Sequence, residues 1–211
     1  MTMMQEDRNR AEGKLRAAAR AAGRHLPAGL PPVLYLTDDH RTPDPVATAR
    51  HLPRGWGVVY RHQNHRHAHL IGRRLRLVCR QRHLKLLIAN DPALALAVGA
   101  DGVHWPFAER AKARRWQGRF ALMTVSAHSP NQLRILQDAG FDAALLSTAF
   151  PSQSPSARAP LGSIRFRQLA RRSRVPVYAL GGVNADTASR IASVAGIAAI
   201  EGIEAVFGPR T

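Results

Sequence analysis

The stretch "LKLLIANDPALALAVGADGVHW" (residues 84–105) contains a complete strand–helix–strand unit. Its apolar run at 84–90 predicts a strand buried on both faces, which is typical of parallel sheets covered by helices. The segment that follows opens on Asp91 and Pro92 and ends near Gly99, residues that commonly start and stop helices. "GVHW" then resumes the strand pattern. A helix between two buried strands predicts a parallel crossover.

The same alternation extends in both directions along the chain. Strand-like apolar runs occur at residues 33–37, 57–61, 84–90, 102–105, 120–127, 142–148, 175–180 and 197–202. Eight strands joined by seven helix-like segments predict a (β/α)8 TIM barrel rather than a doubly wound sheet. Only "IEAVFGPRT" follows the eighth strand, so the eighth helix should be truncated. Helix formers at residues 5–24 predict an N-terminal helical extension (1–30) ahead of a single barrel domain (31–211), and this helix could cover part of the gap.

Composition limits the classes of function. The 211 residues carry a formal net charge of +17, but only three of the 31 basic residues are lysines. No aromatic residues interleave this charge to form a base-stacking platform, which argues against nucleic-acid binding. Cys79 lies in an apolar segment and is interpreted as a buried thiol rather than a nucleophile. No apolar run is long enough to span a membrane and the start is charged, so we expect a cytoplasmic protein.

The ends of the predicted strands select candidate site residues, because TIM-barrel chemistry lies at the C-terminal face. The rule selects Thr37, Asp38, Asp39, Arg61, His62, Gln63, Asn90, Asp91, His104, Glu109, Ser126, His128, Ser147, Thr148, Ser152, Ser154, Gly181, Gly182, Glu201 and Gly202. The set is polar and mixed in charge, as expected for an active site. The neighbouring cluster "RHQNHRHAH" (61–69) lacks a defined zinc spacing and is interpreted as a solvated loop.

Several strand ends together resemble one known superfamily. "LLIANDPALALAVGADGVHW", "VSAHS", "AGFDAALLSTAFPSQSP" and "VPVYALGGVNADTASRIASVAG" are similar, in order and spacing, to motifs of thiamine-phosphate synthases and the related TenI thiazole tautomerases. "VLYLTDD" fits the first strand of that family. The resemblance covers about residues 33–203, which is nearly the whole predicted barrel. It implies small phosphorylated pyrimidine and thiazole substrates, and a homodimer is a further expectation.

The resemblance implies a reaction and assigns residues to it. The synthase joins a hydroxymethylpyrimidine pyrophosphate to a thiazole phosphate and releases pyrophosphate with help from Mg²⁺. Asp91 matches the metal-binding aspartate, and Glu109 stands where the family has the second metal carboxylate. A hard cation prefers such oxygen ligands. Arg61 and Asn90 match contacts to the pyrophosphate end of the substrate.

Other matches fall at the remaining strand ends. Ser126 matches the serine that approaches the pyrimidine, and Ser152 and Ser154 keep the hydroxyls of the loop after the sixth strand. Gly182, with Gly181, matches the Gly-Gly phosphate site. His128 matches a histidine that acts as acid and base in the tautomerase branch, and neutral histidine suits that role.

Departures from the family pattern affect anion ligands. Val59 and Gln63 replace a glutamine and a lysine, and Pro155 replaces a second lysine. Arg158, His62 and Arg66 are candidates to restore this charge. Glu201 stands where a serine is expected beside the thiazole phosphate. A carboxylate near phosphate costs roughly a kcal/mol or more, so Glu201→Ser should strengthen phosphate binding if Glu201 faces the site.

Three functions therefore remain open. The first is a thiamine-phosphate synthase with altered anion ligands, favoured by Arg61, Asn90, Asp91, Ser126 and the two loop serines, Ser152 and Ser154. The second is a metal-independent, TenI-like isomerase that uses His128 and does not need the missing lysines. The third is a non-catalytic member that binds a small ligand or a protein, favoured by Glu201 and Pro155.

Overall fold

A computed structural model describes residues 2–62, 66–154 and 157–209. Eight parallel strands form a closed barrel in chain order, with β8 paired to β1. The strands are β1 (Val33–Leu36), β2 (Gly57–Tyr60), β3 (Lys85–Ala89), β4 (Gly102–Trp105), β5 (Leu122–Ala127), β6 (Ala143–Ser147), β7 (Val177–Leu180) and β8 (Gly196–Ala199). Each strand falls within or beside one of the eight predicted runs. The predicted (β/α)8 barrel is confirmed.

Within the described ranges, eight α-helices surround the strands. They are α1 (Thr2–Gly23), α2 (Pro45–His51), α3 (Ala68–Arg82), α4 (Pro92–Val98), α5 (Arg110–Ala113), α6 (Pro130–Ile135), α7 (Gly162–Arg172) and α8 (Glu201–Phe207). Asp44, Asp91 and Ser129 cap the helices that follow β1, β3 and β5 through side-chain bonds to backbone N–H groups. These caps end three of the crossover loops at the face where the strands terminate.

Two hydrophobic clusters form the core, one inside the barrel and one outside it. Leu34, Leu36, Val59, Leu87, Leu145 and Tyr178 belong to the cluster inside the barrel. A larger cluster lies between the strands and the outer helices. Because side chains alternate along a strand, the positions that continue the inner set at the strand ends point into the mouth of the barrel. Cys79 is fully buried in the outer cluster, and burial raises its pKa to about 12, so it is a protonated thiol as the sequence predicts.

The seventh crossover differs from its prediction. The segment "NADTASRIASVAG" (184–196) reads as helical, but it forms only a 3-10 turn at Ala188–Arg190. Helix α1 contacts this turn, β8 and α8. Leu15 and Ala22 of α1 share the outer core with Ala188 and Ile191. The N-terminal helix thus buries apolar surface that a longer crossover helix would otherwise cover.

Helix α8 is only seven residues long, and α1 satisfies its end. Arg8 donates through Nε to the carbonyl of Val206 and through Nη2 to that of Gly208, the latter at 2.6 Å. The last carbonyls of a helix lack intrahelical partners, and basic side chains commonly bind them. The truncation expected from the sequence is therefore compensated by α1. Division of the chain at residue 30 stays a prediction. No helix in the described part of the chain has the length and apolar character needed to cross a bilayer.

Candidate active site

One cavity of about 730 Å³ opens at the C-terminal ends of the strands. Its lining combines side chains and backbone from the ends of all eight strands and the loops that follow them. Nine of the residues singled out by the family resemblance line it: Arg61, Asn90, Ser126, His128, Ser152, Ser154, Gly181, Gly182 and Glu201. The strand-end rule therefore gathers residues that are up to 140 positions apart in sequence, from 61 to 201, into one place.

A hydrogen-bonded chain of small polar side chains crosses β4 and β5. His104 is 94% buried, and its Nδ1 and Nε2 lie 2.9 Å from the hydroxyls of Thr124 and Ser126, respectively. Burial, with further contributions from Arg61 and His128, lowers the pKa of His104 to about 3. The ring is therefore neutral and presents one donor and one acceptor to the two hydroxyls. His104 fixes Ser126 at the cavity wall.

His128 follows β5 and forms a second pair. Its Nδ1 lies 2.7 Å from the hydroxyl oxygen of Ser147 on β6, and its backbone N–H donates to Gln132 Oε1 at 2.7 Å. Burial and the positive charge of Arg158 lower the pKa of His128. The imidazole is therefore neutral near pH 7, which is the form that accepts a proton.

Cationic side chains lie at the β1–β2 edge of the cavity. Arg61 Nη1 is 3.7 Å from Asp38 Oδ2, and Arg41 Nη2 is 2.8 Å from the same oxygen. The hydrogen bond from Arg41 is the main reason that the pKa of Asp38 falls to about 2. Arg41 lines the cavity, although the sequence analysis did not select it. Only its position a few residues beyond a strand end could have suggested it.

Glu201 lies at the rim rather than inside the barrel. It is the first residue of α8, its side chain is 59% exposed, and its Oε1 is 3.7 Å from Arg41 Nη1. The neighbouring Ile200 packs against the cluster inside the barrel instead. Glu201 thus lines the cavity at its solvent-exposed opening.

The glycine turn after β7 has a structural reason. Gly181 and Gly182 have φ of 92° and 64°, in the left-handed region that favours glycine. A Cβ on Gly182 would lie 2.2 Å from the carbonyl oxygen of Pro151, and one on Gly181 would lie 2.8 Å from Thr148 Cγ2. The loop after β6 therefore packs directly on this turn, and Phe150 donates its N–H to the carbonyl of Gly181 at 3.0 Å.

The two proposed metal carboxylates have other partners. Asp91 Oδ1 caps α4 by accepting from the N–H of Leu94 at 2.8 Å, and its Oδ2 lies 3.4 Å from His62 Nε2. Glu109 Oε2 lies 2.5 Å from Lys112 Nζ. Over the described residues, the cavity lining includes neither carboxylate, and no group of three or more metal-binding side chains occurs. Asp91 Oδ2 and the partly buried carboxylate of Glu109 are the oxygens that could accept a cation.

Some residues named in the sequence analysis lie outside the part of the chain that the structure describes. Gln63, Pro155 and His65 lie outside the described residues. His62 is not part of a solvated loop, because its side chain is 95% buried and packs against Tyr60 with ring centroids 5.5 Å apart. Arg158 is one of the three candidates to restore the charge of the missing family lysines. Its positive charge acts on a cavity residue, because it helps to lower the pKa of His128.

Comparisons with known proteins match this chain to thiamine-phosphate synthases. The family model described as thiamine monophosphate synthase matches residues 37–203. Thiamine-phosphate synthase from Alcanivorax borkumensis is 34% identical over 137 residues, covering 64% of this chain and 63% of that protein. The enzyme of the same name from Thioalkalivibrio sulfidiphilus is 40% identical over 128 residues, covering 56% and 58%. These matches span less than two thirds of the relatives' length.

A solved structure supports the architecture independently. Thiamine phosphate pyrophosphorylase from Pyrococcus furiosus has a TM-score of 0.68 to this chain, covers 84% of it and is itself 88% covered. The sequence identity is 23%, so this likeness concerns the barrel fold.

Proposed function

Because the chain belongs to the thiamine monophosphate synthase family, whose model matches residues 37–203, we propose that it acts in thiamine biosynthesis as a thiamine-phosphate synthase. The reaction forms a C–N bond between the thiazole nitrogen and the methylene carbon of the pyrimidine. The C–O bond to pyrophosphate breaks, and the pyrophosphate leaves with the bonding electron pair. The observation that carries the proposal is that nine predicted site residues line one cavity.

Residues around β2, β3 and the loop after β6 suit the pyrophosphate end of the substrate. Arg61 supplies a permanent cation, and Asn90 supplies an amide to the same cavity. Asn90 has φ of 53° and donates its backbone N–H to the carbonyl of His104 at 2.8 Å, so its position is fixed by β4. Ser152 and Ser154 line the same cavity, and serine hydroxyls can donate to phosphate oxygens.

Ser126 is suited to contact the pyrimidine. Its hydroxyl is held by the neutral ring of His104 at 2.9 Å, so its orientation is set before the substrate binds. A preorganised polar group in a buried wall avoids reorganisation during the reaction. In this scheme His104 is a positioning residue and Ser126 makes the contact.

Asp91 and Glu109 each have a carboxylate oxygen that Mg²⁺ could bind, but these residues do not enclose a metal site. The α4 cap uses Asp91 Oδ1 rather than Oδ2, and Glu109 is paired with a lysine whose side chain is 72% exposed. Mg²⁺ commonly binds one or two carboxylates and completes its shell with water and substrate phosphates. When bound, Mg²⁺ would neutralise charge on the departing pyrophosphate. His62 Nε2 lies 3.4 Å from Asp91 Oδ2, the oxygen left for a cation.

A TenI-like isomerase is the second candidate, and one observation favours it. His128 is neutral, lines the cavity and is held by Ser147 at 2.7 Å, which suits proton transfer on a bound thiazole phosphate. Such a reaction moves one proton off the substrate and returns one, with no leaving group. It would need neither Mg²⁺ nor the pyrophosphate ligands.

The decisive experiment is a product assay with purified protein. We expect Mg²⁺-dependent release of pyrophosphate from the pyrimidine substrate and appearance of the C–N product by mass spectrometry when thiazole phosphate is present. Proton exchange on thiazole phosphate alone, without pyrophosphate release, would identify the isomerase instead. Ligand binding without either reaction would contradict both enzymatic proposals and favour the non-catalytic member. When variants of cavity residues are assayed in this way, Asp186→Asn is the control, because it removes only an exposed ion pair with Lys14.

A further inference from the structure

We infer that Arg41 binds the phosphate group of the ligand, and that Glu201 is an internal competitor that occupies Arg41 when no phosphate is bound. The inference rests on the proposed function only in that the ligand is a phosphate ester bound near β7 and β8. It identifies a specificity residue that neither the motifs nor the predicted site contained.

The loop after β1 holds Arg41 rigidly against the cavity. Asp38 accepts from Arg41 Nη2 at 2.8 Å, and the hydroxyl of Thr42 accepts from the backbone N–H of Asp38 at 2.9 Å. Thr42 also donates back to the Asp38 carbonyl at 2.7 Å, and its N–H reaches the same carbonyl at 3.0 Å. Because backbone and Thr42 bonds define this turn, its shape does not depend on the guanidinium of Arg41. The side chain of Arg41 is only 21% exposed.

The two carboxylates around Arg41 are not equivalent. Asp38 is 15% exposed and makes a hydrogen bond, whereas Glu201 is 59% exposed and its oxygen stays 3.7 Å away, beyond hydrogen-bond length. A guanidinium carries five N–H donors, so the bond to Asp38 leaves donors for a second anion. Glu201 is therefore the exchangeable partner.

The position of Glu201 puts this exchange beside the Gly181–Gly182 turn, where the family resemblance implies a phosphate site. Gly202, which follows Glu201, is so close to the β7 loop that a Cβ there would lie 2.3 Å from the carbonyl oxygen of Val183. The beginning of α8 thus packs on the loop that continues from Gly181 and Gly182. All of these residues line the same cavity as Arg41.

The energetic comparison favours the ligand. An ion pair with a largely exposed partner contributes little free energy, because water screens it and side-chain freedom is lost. A phosphate group carries more charge, and arginine can bind it through two parallel hydrogen bonds. A phosphate ester can therefore displace the Glu201 carboxylate from Arg41, whereas an unphosphorylated alcohol cannot. Glu201 lowers the affinity for phosphate, so a higher phosphate concentration is needed to occupy Arg41.

The test measures binding of inorganic phosphate, without turnover, by calorimetry at low ionic strength. We expect Glu201→Gln to tighten binding by roughly three- to tenfold, and Arg41→Gln to weaken it by about tenfold or more. Competition requires that the gain from Glu201→Gln disappear in the Arg41→Gln background. An equal gain in both backgrounds would show that Glu201 acts by general repulsion and would overturn the inference. So would phosphate binding by Arg41→Gln that equals the original.

Matched variants guard against indirect effects. Asp186→Asn removes another exposed carboxylate in an ion pair, and should leave phosphate affinity unchanged. Arg41→Lys keeps the charge but loses the planar fork, so intermediate affinity is expected; affinity no better than that of Arg41→Gln would contradict a charge-based contact. Thermal unfolding of each variant establishes that it is folded. Phosphate binding that follows these expectations in a protein without synthase turnover would defeat the proposed function and leave this inference intact.

Discussion

The imidazole Nδ1 of His128 lies 2.7 Å from the hydroxyl oxygen of Ser147, across the β5–β6 pair. Both residues line the cavity. Because burial and the charge of Arg158 lower the pKa of His128, the ring is a neutral base whose orientation is set by a neighbouring strand. In an isomerase, Ser147 would orient His128 as the acid–base group. In a synthase, the two side chains would form a polar part of the cavity wall.

Replacement of Ser147 tests this orientation. We expect Ser147→Ala to lower kcat for proton exchange on thiazole phosphate by about tenfold with little change in KM, because His128 loses the bond that holds its ring. Ser173→Ala removes a hydroxyl that bonds the carbonyl of Val175 beyond the end of α7 and serves as the control. Equal effects of the two substitutions on kcat would remove any special role for Ser147.

The pH dependence of that exchange follows from the direction of the His128 shift. Its pKa lies below the ordinary 6.5, so the neutral base persists when pH falls to 6.5 and is lost only at lower pH. The rate should therefore show an acid limb with a midpoint below 6.5, and His128→Asn should abolish that limb. A limb at or above this ordinary value in the original protein would contradict the environment described for His128.

Asp91 separates metal binding from helix capping. Asparagine caps helices about as well as aspartate, so Asp91→Asn should change the melting temperature little. It should, however, raise the Mg²⁺ concentration needed for pyrophosphate release by about tenfold or more, because a charged ligand is lost. Glu109→Gln should act in the same direction. An unchanged Mg²⁺ requirement in both variants would place the cation elsewhere, and activity in excess chelator would argue for the metal-independent isomerase.

His104 should make stability depend on pH. Its folded-state pKa is about 3, below the ordinary 6.5, so between these values the unfolded chain binds a proton that the folded chain excludes. The free energy of unfolding should therefore fall as pH decreases from the ordinary value toward the folded-state value, by at most about 1.4 kcal/mol per pH unit. Urea unfolding of His104→Gln should show a smaller decrease over that range, because glutamine does not titrate. Parallel curves for the two proteins would refute this assignment.

The β7 glycine turn permits a matched comparison of strain and close approach. Gly182 and Gly118 have similar positive φ values, 64° and 77°. Among the described residues, an added Cβ at Gly118 would meet no atom within 4 Å, whereas one at Gly182 would lie 2.2 Å from the Pro151 carbonyl oxygen. Gly118→Ala should cost about 1 kcal/mol of unfolding free energy from backbone strain alone. Gly182→Ala should cost about 3 kcal/mol or more, because the loop after β6 must also move. Similar costs, measured by urea unfolding, would mean that this loop yields freely.

Much of the architecture follows directly from sequence. The predicted run 102–105 and β4 coincide, and the other strands lie within or one residue beyond their apolar runs, because strands buried on both faces leave a continuous apolar signal. The crossover after β7 was less readable. Its alanine-rich segment is covered by α1, and burial by a distant helix leaves no local periodic signal.

The strand-end rule also located most of the candidate site, since closure of a parallel barrel brings every strand terminus to one face. It could not assign partners. Arg41 and Glu201 are 160 positions apart, from 41 to 201, and their 3.7 Å approach arises because β8 pairs with β1 when the barrel closes. The capping role of Asp91 and its approach to buried His62 likewise depend on the packing of separate loops.

Local apolar patterning and the order of the strand-end motifs were enough to predict the barrel, its family resemblance and the face that carries the cavity. The contacts between charged groups, in contrast, depend on how the chain folds. The tertiary structure paired Arg41 with Asp38 and Glu201, oriented His128 through Ser147, and buried His104 as a neutral ring. Hydrogen bonds, ion pairs and desolvation act over a few ångströms in space, whatever the separation along the chain, so local sequence patterns do not reveal them.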